Sequence, residues 1–113
     1  MNDCVFCKII SGDIPSKRYY EDDRMIIIAD IDPKAEKHYL AIPKKHYKLL
    51  SEMTDGDRED LGKIMSTIAE KAEDLGLSGG YRLVINQGDD AGQTVFHLHI
   101  HVLGGQKMDF PHL

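Results

Sequence analysis

Apolar residues recur along this chain with two different spacings. From Leu61 onward they stand three and four apart, at Leu61, Ile64, Met65, Ile68, Ala72 and Leu75, which predicts one buried stripe on a long helix. Thr54 followed by Asp57 resembles a capping box with Asp in place of Glu, so this helix is expected to begin near Thr54 or Asp55. Gly76 stands where a left-handed helix cap belongs. Met53 and Met65 read as core filler. Other segments alternate or run continuously apolar, and predict strands at residues 18–21, 25–30, 38–43, 81–86 and 96–103. The unbroken run Met25-Ile26-Ile27-Ile28-Ala29 suits a strand buried on both faces. In the third strand His38, Leu40 and Ile42 share a face. In the fifth, Phe96, Leu98, Ile100 and Val102 share one face, and His97, His99 and His101 share the other. A short semi-apolar stretch at residues 4–11, ended by Gly12, predicts a turn of helix.

Glu21-Asp22-Asp23 and Asp32-Pro33 punctuate the strands, and Gly88-Asp89-Asp90-Ala91-Gly92-Gln93 is rich in turn residues. The short connection between the fourth and fifth strands predicts an antiparallel pair. Strands at both ends of the chain around one long helix indicate an α+β domain. At 113 residues one domain is expected, spanning residues 1–113. An apolar fraction of 42% and a charged fraction of 29% are ordinary for a globular core and surface. The formal net charge of -5 argues against binding a nucleic-acid backbone. The one basic run, Lys44-Lys45-His46-Tyr47-Lys48, reads as a solvated loop. No apolar run is long enough to span a bilayer. Met1-Asn2-Asp3-Cys4 lacks the pattern of a secretory signal, so a soluble, cytoplasmic protein is expected, with no membrane partner.

The histidine face changes this picture most. Three of the chain's six histidines project to one side of one strand. They can supply nucleophiles, proton carriers or metal ligands near neutral pH. Cys4-Val5-Phe6-Cys7 adds a CxxC pair, a spacing that serves either redox chemistry or zinc binding. Two cysteines are too few for a disulfide framework.

The run His97-Leu98-His99-Ile100-His101-Val102-Leu103 resembles the motif of the histidine triad family of nucleotide-binding proteins. Further blocks extend the resemblance over nearly the whole chain: Phe6-Cys7-Lys8-Ile9-Ile10, Glu21-Asp22-Asp23, Asp30-Ile31-Asp32-Pro33, Ile42-Pro43-Lys44-Lys45-His46, Asn86 and Gly92-Gln93-Thr94. It implies a five-stranded antiparallel sheet with one long and one short helix, joined into a larger sheet in a homodimer. Within the family the resemblance is to the small phosphoramidases, which cleave purine nucleoside 5'-phosphoramidates such as AMP–amine or AMP–lysine conjugates. It assigns the nucleophile to His99 and phosphate contacts to His101. His38 matches a fourth histidine that orients the triad or relays a proton. Gly92, Gln93 and Thr94 match the phosphate and leaving-group loop, where many relatives have serine at the position of Thr94. Asn86 matches a residue hydrogen-bonded near the phosphate, Asp30 the ribose contact, and Phe6, Ile9, Ile28, Ile31 and Leu40 the walls around the base. Cys4, Cys7, His46 and His97 match the ligands of a structural zinc found in many bacterial members. Two departures stand out: Ala29 and Phe110 replace a histidine and a tryptophan of some relatives. A nucleotide-binding partner protein with incidental turnover and a dinucleoside polyphosphate hydrolase are the competing readings.

Overall fold

Local hydrogen bonds fix the ends of both helices before any packing is considered. The computed structural model describes residues 4–108; Phe110 lies outside them. Helix α1, Val5–Ser11, starts where the Cys4 sulfur accepts the Cys7 N–H at 3.4 Å. It stops at Gly12, whose φ of 89° is the left-handed conformation that glycine adopts without strain. Arg18 reaches over its last turn and donates to the carbonyls of Ile9 and Ile10 at 2.7 and 3.0 Å. Helix α2, Asp55–Lys71, begins with the expected capping box. The Thr54 hydroxyl accepts the Asp57 N–H at 3.2 Å, and the Asp57 carboxylate accepts the Thr54 N–H at 3.1 Å.

Five strands form one sheet: β1 Tyr20–Glu21, β2 Met25–Ala29, β3 Lys37–Pro43, β4 Tyr81–Val84 and β5 Ile100–Gly104. Their order is β1-β2-β3-β5-β4 and every neighbour is antiparallel. The expected α+β class, with one long and one short helix on a five-stranded antiparallel sheet, is what the chain forms. Each helix covers one face. Met25, Ile27, Tyr39, Ala41, Ile100 and Val102 pack with Ile64 and Ile68 of α2. Ile26, Ile28, Leu40 and Ile42 pack with Phe6 and Ile9 of α1. This is why β2 carries no polar residue on either side.

Three expectations are corrected. The ladder of β5 begins at Ile100, not at residue 96. Before that point the Leu98 N–H donates to the Tyr47 carbonyl at 2.6 Å, and Leu98 packs with Tyr47 and Met53. Phe96 is thereby left out of the apolar face and stands 42% exposed. Met65 is also exposed, on the outer side of α2, while Met53 is buried as expected. The regular α-helical ladder ends at Lys71 and the chain continues as turns. Gly76 still closes them: its N–H bonds Glu73 O, the Leu77 N–H bonds Ala72 O, and its φ is 79°. Those are the two bonds of a Schellman cap.

Ile68 has no exposed surface and sits at the centre of the α2 stripe. Ile68→Ala should cost about 2–5 kcal/mol in urea unfolding, and Met65→Ala less than about 1 kcal/mol. Equal losses would contradict this division of the helix into two faces.

Candidate active site and metal centre

The histidines stand on the sheet face that α1 covers, and backbone groups decide which nitrogen of each carries the proton. His99 Nδ1 lies 2.8 Å from the His97 carbonyl oxygen. A carbonyl only accepts, so this nitrogen bears hydrogen, and in the neutral ring the lone pair is on Nε2. His97 Nε2 lies 2.8 Å from the Pro43 carbonyl, so it donates and leaves its Nδ1 lone pair free. The Lys34 N–H donates to His38 Nδ1 at 3.0 Å. Neutral His38 therefore carries its proton on Nε2, 2.9 Å from His101 Nδ1 and 3.3 Å from Asp30 Oδ2. His101 accepts on Nδ1 and retains Nε2–H. Asp30 is held by the Asp32 N–H on Oδ1 at 2.8 Å, and a carboxylate still has acceptor capacity beyond these contacts.

Burial pushes the pKa values of His38, His97 and His101 below the ordinary imidazole value. For His38 the Asp30 charge opposes that shift. For His101 burial is reinforced by His99 and His38 and opposed by Asp30. For His97 the Pro43 carbonyl opposes it. Burial disfavours the charged form because it strips water from the imidazolium.

A cavity of about 460 Å³ opens beside this face. Phe6, Ile9, Ile28, Leu40 and the fully exposed Ile31 form its apolar part. His99, His101, Asp30, Asn86, Gly92 and Thr94 form its polar part. His38 is buried behind His101. Gln93 is turned into its own loop: Oε1 accepts the Gly88 N–H at 2.7 Å, and Nε2 donates to the carbonyls of Lys48 and Val95 at 3.1 and 3.3 Å. It is 4% exposed and braces the loop that carries Gly92 and Thr94. Sequence reasoning missed Val5 and Val95, which also line the cavity. Both look like ordinary apolar filler, and no local signal separates them from the core.

Cys4, Cys7, His46 and His97 come together on the far side of His97. Their ligand atoms lie within 4.8 Å of one another. Cys7 Sγ is 3.1 Å from His46 Nδ1, and Cys4 and Cys7 Sγ are 3.4 and 3.5 Å from His97 Nδ1. Two sulfurs and two imidazole nitrogens are a donor set that suits a tetrahedral ion. The free lone pair of His97 Nδ1 faces this cluster. Asp30, His38 and His101 also converge, but His38 holds its proton on the nitrogen that would have to ligate. Its hydrogen bonds hold the His101 ring in place. Phe6 joins the two centres, with its ring edge-on to His99 at 5.0 Å and to His97 at 6.0 Å.

Comparison with known proteins decides the family. The profile of the HIT domain matches residues 11–108. The chain belongs to the HIT domain family. An uncharacterised HIT-like protein of Synechocystis sp. is 46% identical over 109 residues, 96% of each chain. A HIT family hydrolase from Clostridium thermocellum superposes with a TM-score of 0.92 at 48% identity, covering 100% of this chain and 99% of that one. A zinc-bound histidine triad family protein from Mycobacterium smegmatis superposes with a TM-score of 0.80 at 39% identity, covering 96% of this chain and 78% of that one. The triad motif and the five-stranded sheet are thus those of the HIT domain. Among the described residues, no helix is long and apolar enough to cross a membrane.

The lowered pKa values of His38 and His101 set a stability profile. A histidine kept neutral by folding contributes fully above its unfolded pKa, about 6.5, and that contribution is lost as pH falls through the lowered folded value. The melting temperature of the chelator-treated HIT-domain protein should therefore fall between pH 7 and pH 5. The fall should be shallower in His38→Asn. Identical profiles for the two proteins would contradict the buried neutral pair.

Proposed function

We propose that this HIT-domain protein hydrolyses purine nucleoside 5'-phosphoramidates through a covalent nucleotidyl-His99 intermediate. The observation that carries the reading is the contact of His99 Nδ1 with the His97 carbonyl, which in the neutral ring leaves the lone pair on Nε2, in the cavity where Gly92, Thr94 and Asp30 also stand. The apolar walls take the base, Asp30 accepts from the ribose hydroxyls, and the phosphate lies against the loop at Gly92. The Nε2 lone pair forms a bond to phosphorus. The phosphorus–nitrogen bond breaks with its electron pair on the amine. The imidazole of His99 becomes cationic, and its Nδ1–H bond to the His97 carbonyl stabilises that charge. His101 Nε2–H donates to a phosphoryl oxygen, and the Thr94 hydroxyl steadies the departing nitrogen. The departing nitrogen takes up a proton from solvent as its bond to phosphorus breaks. In the second step water attacks phosphorus, its hydroxide replaces His99 and its other proton returns to solvent, so that one water is consumed overall.

The four-residue Cys/His cluster supports a structural zinc, held by Cys4, Cys7, His46 and His97. A closed four-ligand site has no open position for substrate, so its contribution is to folding. It would tie the start of α1 to the segments after β3 and before β5, and α1 supplies Phe6 and Ile9 to the cavity. The outer edge of β4 ends the sheet, which supports the expected homodimer in which two sheets join.

His99→Ala should lose several orders of magnitude in turnover of an adenosine phosphoramidate and still bind adenosine monophosphate, as titration calorimetry would show. Near-normal turnover in that variant would end the reading. Binding without turnover in the unaltered protein would favour the nucleotide-binding partner reading instead. Elemental analysis should find one zinc per chain. A Cys4→Ser/Cys7→Ser double variant should lose it, melt at lower temperature and keep much of its kcat with a raised KM. Full loss of kcat with the fold intact would return the metal to the chemistry.

A further inference from the structure

The CxxC spacing serves either zinc or redox chemistry, and the fold gives this pair the geometry for both. Cys4 caps α1 and Cys7 lies on its first turn, with the Cys7 N–H reaching the Cys4 sulfur at 3.4 Å. The two sulfurs lie within 4.8 Å of each other. A hollow of about 510 Å³ opens on this cluster, and Cys4, Val5 and His46 line it. Both cysteines are part-buried and His46 is exposed. We propose that Cys4 and Cys7 are a redox modification site: a peroxide oxidises them to a disulfide within one chain, which gives up the metal and deforms the wall of the nucleotide cavity.

Reversible thiol oxidation needs solvent access at one sulfur and a second thiol within reach to resolve it. The hollow gives that access to Cys4, which lines it, and Cys7 does not. Peroxide therefore meets Cys4 first. The Cys4 sulfur attacks one oxygen of hydrogen peroxide, the oxygen–oxygen bond breaks, one water leaves and Cys4 becomes a sulfenic acid. The Cys7 sulfur then attacks the Cys4 sulfur, the sulfur–oxygen bond breaks and a second water leaves. The two sulfurs lose two electrons and the peroxide gains them. Two thiol protons leave in the waters; where the sulfurs start as metal-bound thiolates, solvent supplies those two protons.

The placement of the pair links its oxidation to the cavity. Cys4 and Cys7 bracket Val5 and Phe6, and both of those residues line the nucleotide cavity. Phe6 also stands edge-on to His99 at 5.0 Å. A disulfide holds its sulfurs about 2.05 Å apart, so the new bond closes a small ring through Val5 and Phe6. The thiolate is the metal ligand, and a disulfide removes two of the four at once. His46 and His97, now 3.1 and 3.4 Å from Cys7 and Cys4, then lose the partners that tie α1 to the segments after β3 and before β5. The effect on the cavity rests on the nucleotide-binding reading; the disulfide does not.

The test treats the full chain, loaded with zinc, with a small excess of hydrogen peroxide. The denatured mass should fall by two hydrogens relative to the reduced protein, and a chelating dye should take up one zinc for each disulfide formed. Dithiothreitol and zinc together should restore the starting state. Cys7→Ser, oxidised in the presence of dimedone, should carry the adduct on Cys4. The oxidised protein should bind adenosine monophosphate about tenfold more weakly than the reduced protein in titration calorimetry, the scale of a disturbed apolar contact. An unchanged mass, a gain of oxygen without a disulfide, or a disulfide between two chains would overturn the site. An adduct absent from Cys4 would overturn the order of attack. Equal affinity in the two states would overturn the link to the cavity. No affinity even in the reduced protein would overturn the nucleotide-binding reading, while the mass and the released zinc still decide the disulfide.

Discussion

The hydrogen bond from His97 Nε2 to the Pro43 carbonyl organises both chemical centres of this protein. His97 has no exposed surface, so its ring must find a partner inside. By giving its Nε2 proton to a carbonyl at the end of β3, it turns the Nδ1 lone pair towards Cys4 and Cys7. By its own carbonyl it fixes the proton of His99 on Nδ1. One residue thus aims one nitrogen of its own ring at the Cys/His cluster and, through its carbonyl, holds the proton of a second imidazole, two positions along, on Nδ1. Replacing its side chain would leave the buried Pro43 carbonyl and two thiols without the ring they share.

The sheet supplies the second half of the site by register. β3 and β5 pair so that His38 stands opposite Leu103 and Leu40 opposite His101. His38 and His101 then meet at 2.9 Å. The Lys34 amide, from the loop before β3, orders that contact by occupying His38 Nδ1. Burying several imidazoles is costly unless each finds a partner, and here carbonyls, an amide and a carboxylate provide them. The apolar cost is met on the opposite face, where Ile100 and Val102 pack under α2.

Much of this is legible in the sequence because it is carried by side-chain period. Alternation puts His97, His99 and His101 together, the unbroken run of β2 announces burial on both faces, and Thr54 with Asp57 marks the start of α2. What is not legible depends on the backbone or on distant contact. Nothing in the pattern gives the carbonyls of Pro43 and His97 or the Lys34 amide, which set the tautomers. Phe96 fits the alternation of β5, yet the Leu98 bond to Tyr47 draws that segment off the ladder and leaves the ring at the surface. Met65 fits the α2 stripe but falls at its margin. Gln93 sits in the loop where the resemblance puts phosphate contacts, and its amide is spent on bracing that loop. Val5 and Val95 line the cavity, and nothing in the sequence marks them, since a pocket wall and a core face use the same residues.

The central claim is that His99 attacks phosphorus and water attacks second. Its most direct test is the stereochemical course at phosphorus, followed with a chiral adenosine phosphorothioamidate hydrolysed in isotopically labelled water. Two successive in-line displacements, one by His99 and one by water, predict overall retention of configuration. Overall inversion would mean a single direct attack by water, and would contradict the account.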